Sequence, residues 1–232
     1  MIAMAETDLQ NSTLQHASEV REKLMAVYGV QYYETGTSSV VNASTDDLYF
    51  YTTYIGVHEI VVERGDCVYF LDKQKTTAYL NRGSIMVRSP HIATVIRGYM
   101  PEDKSSTLVT RTNLPYVNGC STKQVFPPDR LGDPTLQILD IPPYSSEQAH
   151  HIHSTVRVAY ILSGHGRSIV GMRDHTTSEA LYPGKVAILQ KMCPHHFETD
   201  DEHLIVLSLH VFSSVGAIEQ NHPMFNGTHM TS

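Results

Sequence analysis

An all-β architecture is predicted by three observations on this sequence. From Tyr32 onward, short runs rich in Val, Ile, Tyr, Phe and Thr follow one another. Gly, Asn, Asp and Pro punctuate those runs at turn-like intervals. Helical periodicity is confined to one segment near the N-terminus. Many short strands divided by turn signals fit a barrel or a sandwich.

The helix is expected over residues 12–28, with Ser12 or Thr13 as its cap and Gly29 as its stop. Ala17, Val20, Leu24 and Val27 recur at helical spacing and would form its apolar face. Strands are then expected at 48–54, 59–63, 67–71, 84–87 and 92–96. Residues 101–121 are rich in Pro, Ser, Thr and Asn and read as a long connection. Strand signals resume at 124–126, 136–141, 156–162, 167–170, 186–189 and 204–212. After Ser213 no periodicity is visible.

The totals narrow the function classes. The chain has 232 residues, of which 41% are hydrophobic, enough for one large domain or two small ones. With 24 acidic against 17 basic residues the formal charge is −7, and no basic run occurs, so a nucleic-acid partner is not expected. No apolar stretch reaches the ~20 residues of a membrane helix, so no membrane role is expected. The opening Met-Ile-Ala-Met-Ala-Glu-Thr-Asp lacks the charged and apolar regions of a secretion signal. Three widely spaced cysteines, Cys67, Cys120 and Cys193, argue against a disulfide framework and for a cytoplasmic location. Cys193 is either a reactive or ligating thiol or a small buried hydrophobe.

The chemistry-bearing pattern is His151-Ile-His153, three residues, Arg157, six residues, Gly164, and a later Pro194-His195. Imidazoles at i and i+2 on a strand face the same way, and a third His from a distant strand would complete a facial nitrogen set. Such a set leaves coordination positions open.

This pattern resembles the first motif of the cupin superfamily, in which the place of Arg157 is usually held by a ligating Glu. Residues 183–197, from Pro183-Gly184 to Pro194-His195-His196-Phe197, resemble the second motif, although Gln190 and Met192 stand where the family usually has Pro and Gly. The resemblance implies a jelly-roll β-barrel with His151, His153 and His195 as metal ligands. The two halves also look related: setting Gly65 on Gly164 places His58 on Arg157, while Pro90-His91 matches Pro194-His195. The expected organisation is therefore an N-terminal helical segment over 1–31, a degenerate cupin barrel without metal over 32–113, a metal-binding barrel over 122–216, and a tail over 217–232.

Three neutral imidazoles suit Fe, Zn, Ni, Mn or Cu, with iron favoured as one divalent transition metal. Arg157 cannot ligate a cation. It would either anchor an acidic substrate beside the ion in bidentate fashion or be neutralised by an internal acid such as Glu147. Glu147 itself reads as a replacement ligand, an acceptor from the outer N–H of a ligating imidazole, or an exposed loop acid. His150 and His196 would face away from the ion. His210 reaches either the cavity or a hydrogen-bonded core position, and Tyr160 would pack outside the cavity while Ala159 and Ile161 line it. The resemblance implies a metal-dependent enzyme acting on a small, anionic substrate, with a non-haem dioxygenase as first expectation. The alternatives are a Lewis-acid isomerase, lyase or hydrolase, and a non-catalytic ligand-binding cupin. A homodimer is expected by analogy of fold.

Overall fold

The computed structural model describes residues 19–20, 22–43, 50–88, 90–109, 111–129 and 132–212. Its strands, in chain order, begin with β1 (Val30–Glu34), β2 (Ser39–Asn42), β3 (Tyr51–Ile55), β4 (Glu59–Val62), β5 (Cys67–Leu71) and β6 (Thr77–Arg82). Next come β7 (Ile85–Arg88), β8 (Ile92–Ile96), β9 (Lys104–Thr107), β10 (Leu114–Pro115), β11 (Ser121–Phe126) and β12 (Thr135–Ile141). The series closes with β13 (Thr155–Gly164), β14 (Gly166–Met172), β15 (His175–Leu181), β16 (Lys185–Leu189), β17 (His195–Glu198) and β18 (Leu204–Phe212).

Two barrels result, each made of a large and a small sheet. The first combines the order β2-β3-β8-β5-β6-β9 with the pair β4-β7. The second combines β1-β16-β13-β18-β12-β11-β10 with β15-β14-β17. Alternation along the strands divides the core into three layers. Ile60, Val62, Val68, Val87, Ala93 and Val95 fill the first barrel. Leu139, Ala159, Ile161, Val170, Leu189 and Phe197 belong to the interior of the second. The opposite faces of the two large sheets meet through Tyr69, Leu71, Ile138, Val158, Tyr160 and Leu207, which form the core between the barrels. Tyr160 therefore packs outside the second cavity, as its parity predicts.

The ends of the sheets differ from the sequence reading. β1 does not join the first barrel: Val30 to Glu34 pair antiparallel with Leu189 to Lys185 of β16 in the second. Val30 and Tyr32 pack on that barrel's core, and Lys185 Nζ holds Glu34 at 3.0 Å and Glu179 at 2.6 Å. The expected connection over 101–121 contains two strands, and β9 extends the first barrel's sheet beside β6. The start of the predicted helix, its cap and Ala17 lie outside the described residues, as does the tail after 213. Residues 19–20 and 22–28 are helical, but Val20 is 42% and Val27 76% exposed. The packed face is instead Met25 and Tyr28, which rest on the second barrel's core. Gly29 ends the helix at φ +70, and a Cβ there would lie 2.8 Å from Gln190 Cβ. Only glycine meets both demands.

The internal match needs a shift of register. β13 lies between β16 and β18, and β5 lies in the same way between β6 and β8. Gly164 is the last residue of β13, whereas Gly65 precedes β5, so the two glycines are not equivalent and His58 does not take the place of Arg157. Among the described residues the first barrel has no counterpart of the β14–β15 hairpin. His91 also departs from its expected match with His195. It precedes β8 and sets its ring edge-on to Tyr160 at 5.2 Å, between the barrels.

Candidate metal centre

The His-x-His segment is not on a regular strand. His151 forms an isolated bridge with His195, its N–H reaching the His195 carbonyl at 3.1 Å and the reverse bond measuring 2.9 Å. His153 follows in extended chain, where its carbonyl accepts a 2.6 Å bond from the Met192 N–H. These long-range bonds, rather than strand pleating, bring the rings together. Met192 bends this turn from the left-handed region, φ +63, where the family pattern has glycine. Gly164 closes the motif for a steric reason: a Cβ there would meet the His203 carbonyl oxygen at 1.6 Å.

The ligand atoms of His151, His153 and His195 all lie within 4.8 Å of one another. The Nε2 atoms of His151 and His153 are 2.7 Å apart. Two neighbouring imidazoles on one ion, each bonded at about 2.1 Å, take a spacing of about 3 Å. The tautomers are set by the backbone. His151 Nδ1 lies 2.8 Å from the Ala149 carbonyl, and His195 Nδ1 lies 2.8 Å from the Cys193 carbonyl. A carbonyl only accepts, so each Nδ1 carries the proton and each Nε2 keeps its lone pair for a metal. Burial, followed by the Arg157 charge, holds the imidazolium of His153 down at about 3. Burial likewise lowers His195 to about 3. Both are neutral near pH 7, the state that ligates.

Four buried polar atoms without a hydrogen-bond partner gather at this end of the barrel: His195 Nε2, Glu147 Oε1, Arg157 Nε and Thr155 Oγ1. Orphaned buried polar atoms are rare in folded proteins, and a bound ion is one way to satisfy those gathered here. The residues present thus fit a metal ion: three neutral nitrogen donors converge, and unsatisfied polar groups surround them.

Arg157 points inward from β13, flanked in register by Leu189 and His210. Burial pushes its pKa down and Glu147 opposes that through space, but no carboxylate among the described residues lies within ion-pair distance of it. Glu147 is not an exposed loop acid. Its residue is 3% exposed, and Oε1 faces His195 Nε2 at 3.8 Å. Burial raises its carboxyl to about 7, with Arg157 opposing the rise. His210 faces the cavity and is also hydrogen-bonded, its Nε2 3.0 Å from Gln137 Nε2. Burial, with Arg157, His153 and His195 nearby, keeps it neutral. Cys193 is a buried hydrophobe, 1% exposed, whose thiol burial pushes up to about 12. His150 and His196 turn away from the centre, Nδ1 to Nδ1 at 2.8 Å.

Sequence reasoning missed Gln137 and Thr155. Both had a partial signal: Gln137 shares its face with the apolar Leu139 and Ile141, and Thr155 shares its face with Ala159 and Ile161 beside the inward Arg157.

No sequence-family model matches the chain, and no curated protein matches it by sequence. Solved structures do. A protein described as glyoxylate-induced, from Pseudomonas aeruginosa, matches with a TM-score of 0.54 and 12% identity, over 78% of this chain and 89% of that one. A cupin 2 conserved barrel protein from Leptotrichia buccalis matches with a TM-score of 0.49 and 12% identity, over 78% of this chain and 96% of that one. An oxalate decarboxylase matches with a TM-score of 0.48 and 8% identity, over 79% of this chain and 77% of that one. The chain has the cupin fold, in two barrels. At these identities the likeness concerns architecture and not chemistry. No described helix is long and apolar enough to cross a membrane.

Proposed function

We propose that this chain is a metal-dependent cupin enzyme acting on a small anionic molecule, and that its reaction is a non-haem dioxygenation. The observation that carries the reading is the pairing of three convergent neutral imidazoles with an inward, unneutralised guanidinium. When bound, a divalent ion such as iron supplies a redox-active and Lewis-acidic centre with open coordination positions. The protein's own groups do the rest. His151, His153 and His195 hold the site, and their backbone-fixed Nδ1 protons keep the rings aimed. Arg157 binds a carboxylate of the substrate and orients the molecule, which lowers the entropic cost of assembling reactants. Gln137 steadies His210 at the cavity wall.

Oxygen uptake by iron-loaded protein on a panel of small carboxylates tests the reading. Substrate-dependent consumption that stops without air supports it, and turnover retained with zinc in the absence of oxygen assigns the Lewis-acid alternative instead. Arg157→Lys keeps the charge but loses the planar fork, so KM for the acidic substrate is expected to rise about tenfold. The three buried, unbridged cysteines support a reducing, cytoplasmic setting. A homodimer is part of the same proposal, and light scattering at micromolar concentration checks it.

A further inference from the structure

Resting on the triad reading above, we propose that Glu147 is a fourth ligand of the centre and supplies the negative charge that three imidazoles lack. Three features point this way. Its residue is 3% exposed, an unusual place for a carboxylate, and the carboxyl's bond with the Phe197 backbone leaves Oε1 unused. Its Oε1 is a buried atom with no hydrogen-bond partner, and so is His195 Nε2. Those two orphaned atoms face each other at 3.8 Å. Two donors bonded at about 2.1 Å on widely separated sides of one ion span up to about 4 Å, so a shared cation satisfies both atoms at once.

Geometry argues against two other roles for a buried acid at His151, His195 and Arg157. An outer-shell carboxylate accepts from the far nitrogen of a ligating imidazole. Backbone carbonyls already occupy that nitrogen on His151 and His195, at 2.8 Å each. Glu147 meets His195 instead at Nε2, the metal-facing atom. Nor is Glu147 the ion-pair partner of Arg157, since no such pair forms within 4.0 Å. The position of the acid is itself fixed. Its backbone N–H bonds the Phe197 carbonyl at 3.1 Å, and β17 carries both Phe197 and His195. The segment before His151 is therefore tied to the strand that delivers the third imidazole. The site so completed is three nitrogens and one carboxylate, with Arg157 left free for a second anion.

The test uses metal-free protein titrated with Mn2+, the free ion being read by its paramagnetic resonance signal. Glu147→Gln keeps shape and removes charge. It is expected to weaken Mn2+ binding by about 100-fold or more, beyond the 10–100-fold typical of outer-shell partners. Infrared difference spectra of wild type on adding Mn2+ should show carboxylate bands that shift when glutamate is 13C-labelled. This measurement does not depend on the variant folding. Unchanged affinity in Glu147→Gln, or no glutamate band in wild type, overturns the proposal. His151→Ala/His153→Ala separates the two readings: if it loses Mn2+ while Glu147→Gln keeps it, the triad stands and the carboxylate ligand falls. If the double variant binds as wild type does, the triad itself is misassigned.

Discussion

The two barrels share a pairing order and differ in what they point inward. In the second, His151 opposes His195 where the segment before β13 meets β17. In the first, β4 and β7 form the corresponding pair and oppose Ile60 to Val87. Both of those side chains are buried among Val62, Val68, Ala93 and Val95. One fold therefore carries a largely apolar interior, whose buried Thr52 is satisfied by Asn42 and Arg97, in one copy and a cluster of orphaned polar atoms in the other. The pairing is made by backbone hydrogen bonds, which are indifferent to side chains. The interior is made by residue choice at alternating positions, so it can diverge while the pairing persists.

The sharpest way to break this comparison is to remove the imidazoles. His151→Ala/His153→Ala should abolish metal binding and activity outright, since two of three neutral donors are lost. Elemental analysis after gel filtration would check it, and residual metal in the double variant would place a site elsewhere, the first barrel included.

Next in size is truncation of the aliphatic interior. Ile60, 2% exposed, sits in the first barrel's packed layer. Ile60→Ala should cost about 2–5 kcal/mol in denaturant unfolding, through lost burial and a residual cavity. Metal affinity should stay at the wild-type value. A change in affinity would show that the two interiors are coupled through the core between the sheets.

Acid should also distinguish the barrels. The folded values of about 3 for His153 and His195 lie below the ordinary histidine value. The unfolded chain therefore binds more protons than the folded one between about pH 6.5 and 3. Stability of the metal-free protein rises with pH across that window and is progressively lost as pH falls through it. His153→Gln/His195→Gln should flatten the slope, measured as thermal midpoint against pH.

The smallest effect is at the turn. Met192, φ +63 and 55% exposed, holds a left-handed conformation that costs a side chain about 1 kcal/mol. Met192→Gly should recover up to about that amount, less the entropy glycine adds to the unfolded chain. A loss of stability instead would mean that the methionine side chain contributes packing.

The amino-acid sequence by itself determined the all-β class, most strand positions, the three candidate imidazoles, the motif position of Gly164 and the outward packing of Tyr160. Those features depend on residue type and on spacing along one stretch of chain, where alternation and turn chemistry act locally. Tertiary structure alone decided that β1 adds to the second barrel, that β9 adds to the first, and that the helix packs through Met25 and Tyr28. It also decided the register between the halves and the placement of Glu147 against His195. Each of these depends on which distant edge or strand a segment meets. An acid four residues before a His reads the same whether solvent or a buried imidazole faces it, and it is the pairing of its segment with β17, the bond from its backbone to Phe197 included, that turns it inward.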